Sequence, residues 1–359
     1  MTATAESQHL SFSMRFAFGL ALFFVVLVIY DQVFYWSTFE DYSFGYLVPF
    51  FAGYVVWDRW PKLKSFLFGT NEGHIDAPIT PLMRITEGVM YAGLVVALLF
   101  FLLGGLLHAS QGISNQASLL MAVGLGGIIL GLAFLVARED TQGKRLSWKE
   151  RMTFTFLFLF PALVWLVSAP MVMFLDNTVR VVLLEKVTII VFNLFNFLDL
   201  TIIREGNTLI LPKGRVGVED ACSGVRSLTG CIFVGAFMSA VFLDKFWKKV
   251  LMVLTAMVLA VFTNLIRSLF LTGWAYAYGS EAIDGDIFTN PKELADGTPN
   301  PEFFFASVHD IAGYSVMGLT FIFLLILLPL FTFKITPPDD DEEDYEDIEE
   351  GAAHPEPTN

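Results

Sequence analysis

Three residues whose side chains could together perform acyl transfer, Cys222, Arg267 and His309, lie far apart in the sequence. A cysteine thiolate attacks a carbonyl carbon, an imidazole transfers protons, and a fixed guanidinium stabilises the resulting oxyanion. Such a set indicates a cysteine protease or transpeptidase. The chain has no HExxH zinc motif, no GxSxG elbow and no P-loop, which are signatures of other chemistries.

The residues around Cys222 bear on whether its thiol ionises. Asp220 is a candidate N-cap, which would put the thiol in a first helical turn, where unpaired N–H groups favour a thiolate. Arg226 would share its face, whereas Glu219 and Asp220 oppose ionisation. Alternatively Cys222 is a buried, small hydrophobic residue, the only interpretation available for Cys231.

Arg267 interrupts an apolar run, where a charge near the membrane centre costs about 2.5–3.5 kcal/mol. Counting from Lys249 at about 1.5 Å per residue places it near the outer membrane boundary. Asn264 would share its face and could bind the same partner. Alternatively the guanidinium extends to the lipid headgroups.

His309 opens the last apolar segment, at the same expected depth. Gly313, four residues on, would leave space on its face, and Asp310 is a supporting residue that points about 100° away. A single interfacial histidine can also be structural. The convergence of thiol, guanidinium and imidazole at one depth favours a catalytic role.

The segments that must position these residues are predicted to be membrane spans. Hydrophobic residues make up 55% of the chain and charged residues 16%, against roughly 25% charged in soluble domains. Apolar stretches of about twenty residues can cross a bilayer. They predict an all-α polytopic membrane protein of about eight transmembrane helices. The predicted spans are 14–36, 43–58, 86–108, 117–137, 152–175, 222–243, 249–277 and 308–333.

Lys and Arg concentrate in alternate connections, which predicts a cytoplasmic location for those connections and for both termini. The segment 176–221 is then on the outer side, despite five Lys and Arg, because charge bias weakens in long loops. Residues 179–198 within it predict an amphipathic helix on the outer face, and a short strand pair follows with Gly206 and Gly214 near its turns. If 179–198 crosses instead, the downstream topology inverts.

The chain's acidity is a property of its last residues. Of the net charge of −14, eleven negative charges follow Pro337, which leaves −3 for the rest. The residues 336–359 predict a disordered cytoplasmic tail after a membrane catalytic domain, 1–335. Nothing in the sequence indicates a nucleic-acid partner, a metal site or a cofactor.

The candidate residues lie in three motifs, EDACSGVRSL (219–228), NLIR (264–267) and HDIAG (309–313). In these motifs, and more weakly at DYSFGYLVP (41–49) and REGNTLILPKG (204–214), the chain resembles the exosortase/archaeosortase family of polytopic membrane cysteine transpeptidases. The resemblance implies that Cys222 is the nucleophile, Arg267 the transition-state stabiliser and His309 the general acid/base. The expected location is the cytoplasmic membrane, with the site facing outward as the charge bias predicts.

The family acts on secreted proteins whose C-terminal signal has a Pro-Glu-Pro motif, a membrane helix and a basic cluster. The resemblance therefore implies membrane-anchored protein substrates of this kind. Arg204, Lys213 and Arg215 could bind the glutamate of that motif, or could anchor their segment to anionic lipid headgroups. Phe44 stands where family members often have His, so any role of that His is absent or taken elsewhere.

Two alternatives belong to other functional classes. Many spans and the glycine-rich stretch 124–131 would suit a transporter or channel, although the half-repeats common in transporters are missing. A non-catalytic membrane scaffold with an exposed acidic tail is the other.

Overall fold

The computed structural model describes residues 10–69, 76–170, 173–217, 225–285, 293–300 and 307–332. The helices are α1 Phe12–Thr38, α2 Val48–Asp58, α3 Trp60–Leu67, α4 Pro81–Gln111, α5 Asn115–Val136, α6 Trp148–Leu157, α7 Leu159–Ser168, α8 Met173–Phe197, α9 Val225–Phe242, α10 Phe246–Tyr278, α11 Glu281–Asp284 and α12 Val308–Thr332. A 3-10 helix, Glu40–Leu47, precedes α2, and the strands are β1 Ile203–Glu205, β2 Thr208–Leu211 and β3 Gly214–Gly217.

Six helical segments of the described chain are long and apolar enough to cross a membrane: α1, α4, α5, α6 with α7, α10 and α12. The predicted all-α, multi-pass membrane fold is therefore confirmed. Two predicted spans are not among the six. The 43–58 segment divides into the 3-10 helix and the eleven-residue α2, and the described part of 222–243 begins at Val225 and continues as α9 to Phe242.

Glycines allow α4 and α5 to pack closely. A Cβ on Gly124 would lie 2.7 Å from the Ala97 carbonyl oxygen, and one on Gly104 would lie 2.7 Å from that of Ala117. Small residues at such crossings let helix backbones approach within a membrane. The glycine-rich stretch that motivated a transporter interpretation therefore has a packing explanation.

Polar side chains tie α1 to its neighbours within the bundle. Asp31 is buried, and its Oδ1 lies 3.1 Å from Nδ1 of His108 on α4. Gln32 donates to the Trp165 carbonyl (3.2 Å) and accepts from the Ser168 hydroxyl (2.7 Å) on α7. The interhelical hydrogen bonds of Gln32 stabilise the bundle because lipid offers these groups no partner.

The strands form an antiparallel sheet in the order β1, β2, β3, one strand more than the predicted pair. The predicted turn glycines are confirmed, since Gly206 (φ 62°) lies between β1 and β2 and Gly214 (φ 135°) begins β3. A third strand forms because 214–217 pairs in register with β2.

The helix predicted at 179–198 is also present, but it begins earlier, at Met173, as α8. One face of α8, carrying Leu184, Val187 and Val191, packs with the sheet and with α10. Spacings of three and four residues put these side chains on a single stripe. The exposed face also carries apolar residues such as Val182 and Ile190, so the predicted division into an apolar and a polar face is weak. The same apolar cluster includes Val308 and Ala312, so the sheet, α8 and the start of α12 share one core. The predicted acidic tail, 336–359, lies outside the described residues.

Candidate functional site

A defined signal ends the helix that carries the candidate guanidinium, and another begins the helix that carries the candidate imidazole. No Pro interrupts α10, which ends at Gly279 (φ 103°). At the start of α12 the Ser307 hydroxyl donates to Asp310 Oδ2 (2.8 Å), and Asp310 N donates back to that hydroxyl oxygen (3.2 Å). This reciprocal cap places His309 in the first turn of α12.

The guanidinium of Arg267 lies against Gly313. A Cβ built on Gly313 would be 3.5 Å from Nη2 and 3.8 Å from Cζ of Arg267. Gly313 is four residues after His309, so the two share a helix face about 6 Å apart along the axis. The sequence predicted that Gly313 clears space on this face, and in the structure Arg267 occupies that space.

Buried polar contacts fix the pairing of α10 with α12 just below this point. The hydroxyls of Thr263 and Thr320 are 2.8 Å apart, and both residues are buried. Asn264, predicted to support Arg267, is 3% exposed, and its Oδ1 accepts no hydrogen bond from any part of the chain that the structure describes. A buried amide oxygen in this position can accept a hydrogen bond from a further group.

A carboxylate that sequence analysis missed lies beside the imidazole. Asp284 Oδ1, in α11, is 3.8 Å from His309 Nδ1, and the side chains are 79% and 27% exposed respectively. Asp310, the supporting residue that the sequence suggested, instead caps its own helix through Ser307. The acidic composition of the connection after α10 was the available signal, but it gave no reason to select Asp284.

The other predicted site residues lie either outside the described residues or in and around the three-stranded sheet. Cys222 lies outside the described residues, as does the side chain of Arg226 on α9. Lys213 donates to the Ala277 carbonyl (2.5 Å), which attaches the sheet to the end of α10, and Arg204 donates to the Gly206 carbonyl (2.8 Å). Arg215 is exposed.

A cavity of about 410 Å³ adjoins Arg267 between α10 and α12. Its walls are mainly apolar, with Phe270, Trp274 and Ile311 among them, and Ser315 adds a hydroxyl. An apolar chain could therefore lie beside the guanidinium. Among the described residues there is no group of three His, Cys, Asp or Glu side chains placed to hold a metal ion.

Comparison with known proteins assigns the chain to a family. The family model described as transmembrane exosortase matches residues 36–326, which is most of the chain and includes all three candidate catalytic residues. No curated protein and no solved structure matches. The resemblance seen in the motifs around Cys222, Arg267 and His309 is thus confirmed over residues 36–326. The chain belongs to the transmembrane exosortase family.

Proposed function

We propose that this protein is a membrane cysteine protease or transpeptidase that cleaves C-terminal sorting signals of secreted proteins. Membership of the exosortase family supports a sorting role. The observation that carries the catalytic proposal is the position of the Arg267 guanidinium against Gly313, one helical turn from His309. A guanidinium and an imidazole on adjacent helices are what an acyl-transfer site with a cysteine nucleophile needs.

In the proposed reaction, His309 accepts the proton of the Cys222 thiol, and the thiolate attacks the carbonyl carbon of the scissile peptide bond. The negative charge that develops on the carbonyl oxygen is stabilised by the Arg267 guanidinium. The C–N bond then breaks, His309 protonates the leaving amine, and an acyl thioester remains on Cys222. Water or an acceptor nucleophile gives its proton to His309, attacks the thioester and releases the thiol.

The site is proposed to face outward, at the outer surface of the cytoplasmic membrane. The Lys- and Arg-rich connections follow α2, α5 and α9, so the opposite end of the bundle, where α10 ends and α12 begins, is assigned to the outer side. The sheet and α11 lie at that same end. Secreted substrates would meet the enzyme there.

The proposed substrates are membrane-anchored proteins with a Pro-Glu-Pro signal. Arg204, Lys213 and Arg215 remain candidates for binding its glutamate. Arg215 is best placed among them because it is exposed, whereas Arg204 and Lys213 already donate to carbonyl groups of the chain. The geometry therefore favours Arg215 as the first of the three to test.

The proposal is tested by co-expression with a Pro-Glu-Pro-tagged membrane substrate and mass analysis of the substrate's C-terminus. Wild type should generate a new terminus, and Cys222→Ala should not. Cys231→Ala is the matched control, since Cys231 is buried on α9 and has no proposed catalytic role. Processing that survives Cys222→Ala would exclude the mechanism, and an added mass would identify the acceptor.

A further inference from the structure

A second, larger groove lies at the other end of the bundle from Arg267. It has a volume of about 560 Å³ and is bordered by α6 and α7 on one side and by α9 and α10 on the other. This volume is within the roughly 300–1,000 Å³ of small-molecule sites. The proposed cleavage reaction does not involve this groove.

One end of the groove is basic. Arg59 is buried there, where its Nη2 donates to the Ala240 carbonyl (2.7 Å) and its Nη1 to the Leu157 carbonyl. Lys249 also lines this end, and the positive charges of Arg59 and Lys62 are close enough to repel its ammonium group. Two carboxylates oppose these three cations: Asp244, which lines the groove, and Asp58, which interacts with Arg59. The balance is positive, and a guanidinium has five N–H donors, more than the two carbonyls use.

The rest of the groove is apolar and runs along the helices. Phe246, Val250 and Leu254 follow one another at four-residue spacing on α10, which spans about 12 Å of helix axis. Leu163 and Val167 of α7 line the opposite wall. Phe246 and Leu254 are 61% and 50% exposed, so the groove opens at the lipid-facing surface of the bundle.

We propose that this groove binds one anionic phospholipid. The phosphate would contact Lys249 and Arg59, and an acyl chain would lie along the apolar walls toward Leu254. By the charge bias of the connections this end lies on the cytoplasmic side, where basic pockets between membrane helices bind anionic lipid headgroups.

The shape and the charge of the groove favour a lipid as its occupant. Its apolar part runs along the helices and opens at the lipid-facing surface, so an acyl chain can enter from the bilayer. Its positive end attracts a phosphate. A single acyl chain with an anionic head therefore suits both parts of the groove.

The test uses the full chain, purified and reconstituted in nanodiscs of phosphatidylcholine and phosphatidylglycerol in equal amounts. Native mass spectrometry then counts the lipids retained after release. Wild type should retain one phosphatidylglycerol in preference to phosphatidylcholine. Lys249→Gln should lower that preference about fivefold, the effect of losing one basic contact with an anionic headgroup. Lys245→Gln is the matched control, because Lys245 is exposed in the same connection and does not line the groove.

A second variant, Val250→Trp, fills the groove from its exposed rim without removing charge. It should abolish retention of the lipid. A cooperative thermal unfolding transition would show that the variant is folded. Equal retention of the two lipids by wild type would overturn the proposal. So would an equal loss of preference in Lys249→Gln and Lys245→Gln.

Discussion

The guanidinium of Arg267 on α10 lies against the backbone of Gly313 on α12, at the distance of ordinary van der Waals contact from where a Cβ would be. His309 is one turn earlier on the same face of α12. The two groups proposed to handle the oxyanion and the protons are therefore positioned by a single helix pair. Their relative placement depends on the side chain at position 313 remaining small.

We expect Gly313→Leu to lower sorting-signal cleavage by about 100-fold, the typical cost of displacing a catalytic group by about 1 Å. Gly313→Ala should retain most activity, because its Cβ would lie 3.5 Å from Nη2 without overlap. The rate of substrate cleavage in membranes measures both effects.

The matched control for this series is Gly318→Leu on the same helix, where an added Cβ meets nothing within 4 Å. Its activity should equal that of wild type, since Leu also favours a helix over Gly. A Gly313→Leu enzyme as active as this control would show that the Arg267 position is not required.

Arg267 itself should contribute mainly to the transition state. Arg267→Gln is expected to lower kcat by about 100- to 1,000-fold, as removal of an oxyanion donor does, with little change in KM. Arg267→Lys should recover part of the loss, because it keeps the charge but lacks the planar fork. Arg15→Gln, which removes an exposed guanidinium from α1, is the control. An increase in KM alone would assign Arg267 to substrate binding instead.

Arg267 and His309 could be selected from the sequence because charged and titratable residues are costly inside apolar segments and therefore conspicuous. Counting residues along each predicted span placed both at the same membrane depth, without information on which helices are neighbours. The contact with Gly313 was not predictable, since the rotation of α10 against α12 is set by packing along their whole length. Asp284 was missed for a related reason. It lies on a four-residue helix in a long connection, where composition indicates charge but not position.

Asp284 is expected to position His309. Asp284→Asn should lower kcat by about two- to fivefold, because an exposed ion pair contributes at most about 1 kcal/mol. The measurement is the rate of signal cleavage at low and high salt.

Two controls separate this role from a general charge effect. Glu281→Gln removes the same charge from the same short helix and should leave the cleavage rate unchanged. Asp284→Glu should largely restore activity. High salt should reduce the difference between wild type and Asp284→Asn, since screening weakens an exposed pair. A difference that is independent of salt would count against the electrostatic role.

The fold was more predictable than the site. Six of the eight predicted spans coincide with sufficiently long apolar helices, because the cost of exposing polar backbone in lipid leaves few alternatives to a helix. The 43–58 segment is not among these six, because it begins within a 3-10 helix that ends at Leu47, which an apolar run does not reveal. In the same region Phe44 packs on Phe233 (ring centroids 5.3 Å apart), so the position that the family often gives to His is an apolar contact here.

The hydrogen bond between Thr263 and Thr320 should stabilise the α10–α12 pair by a modest amount. Each hydroxyl carries one proton, so the threonine that donates to the other cannot also donate to the carbonyl of its own helix, which is Leu259 (2.8 Å) for Thr263 and Val316 (2.9 Å) for Thr320. Single Thr→Val variants should therefore lower the free energy of unfolding by less than about 1 kcal/mol. A double-mutant cycle should give a coupling of about 0.6 kcal/mol, the average for hydrogen bonds between membrane helices.

The control for the cycle is Thr255→Val, earlier on α10, whose hydroxyl donates to the Leu251 carbonyl (2.9 Å) of the same helix. Paired with Thr320→Val, it should show no coupling.

Because Thr263 lies one turn from Arg267, the cycle also reports on the site. If the pair sets the register of the two helices, the double variant should lose activity as well as stability, with kcat reduced and KM unchanged. Lost stability with unaltered kcat would mean that packing elsewhere along α10 and α12 is sufficient to hold the guanidinium against Gly313.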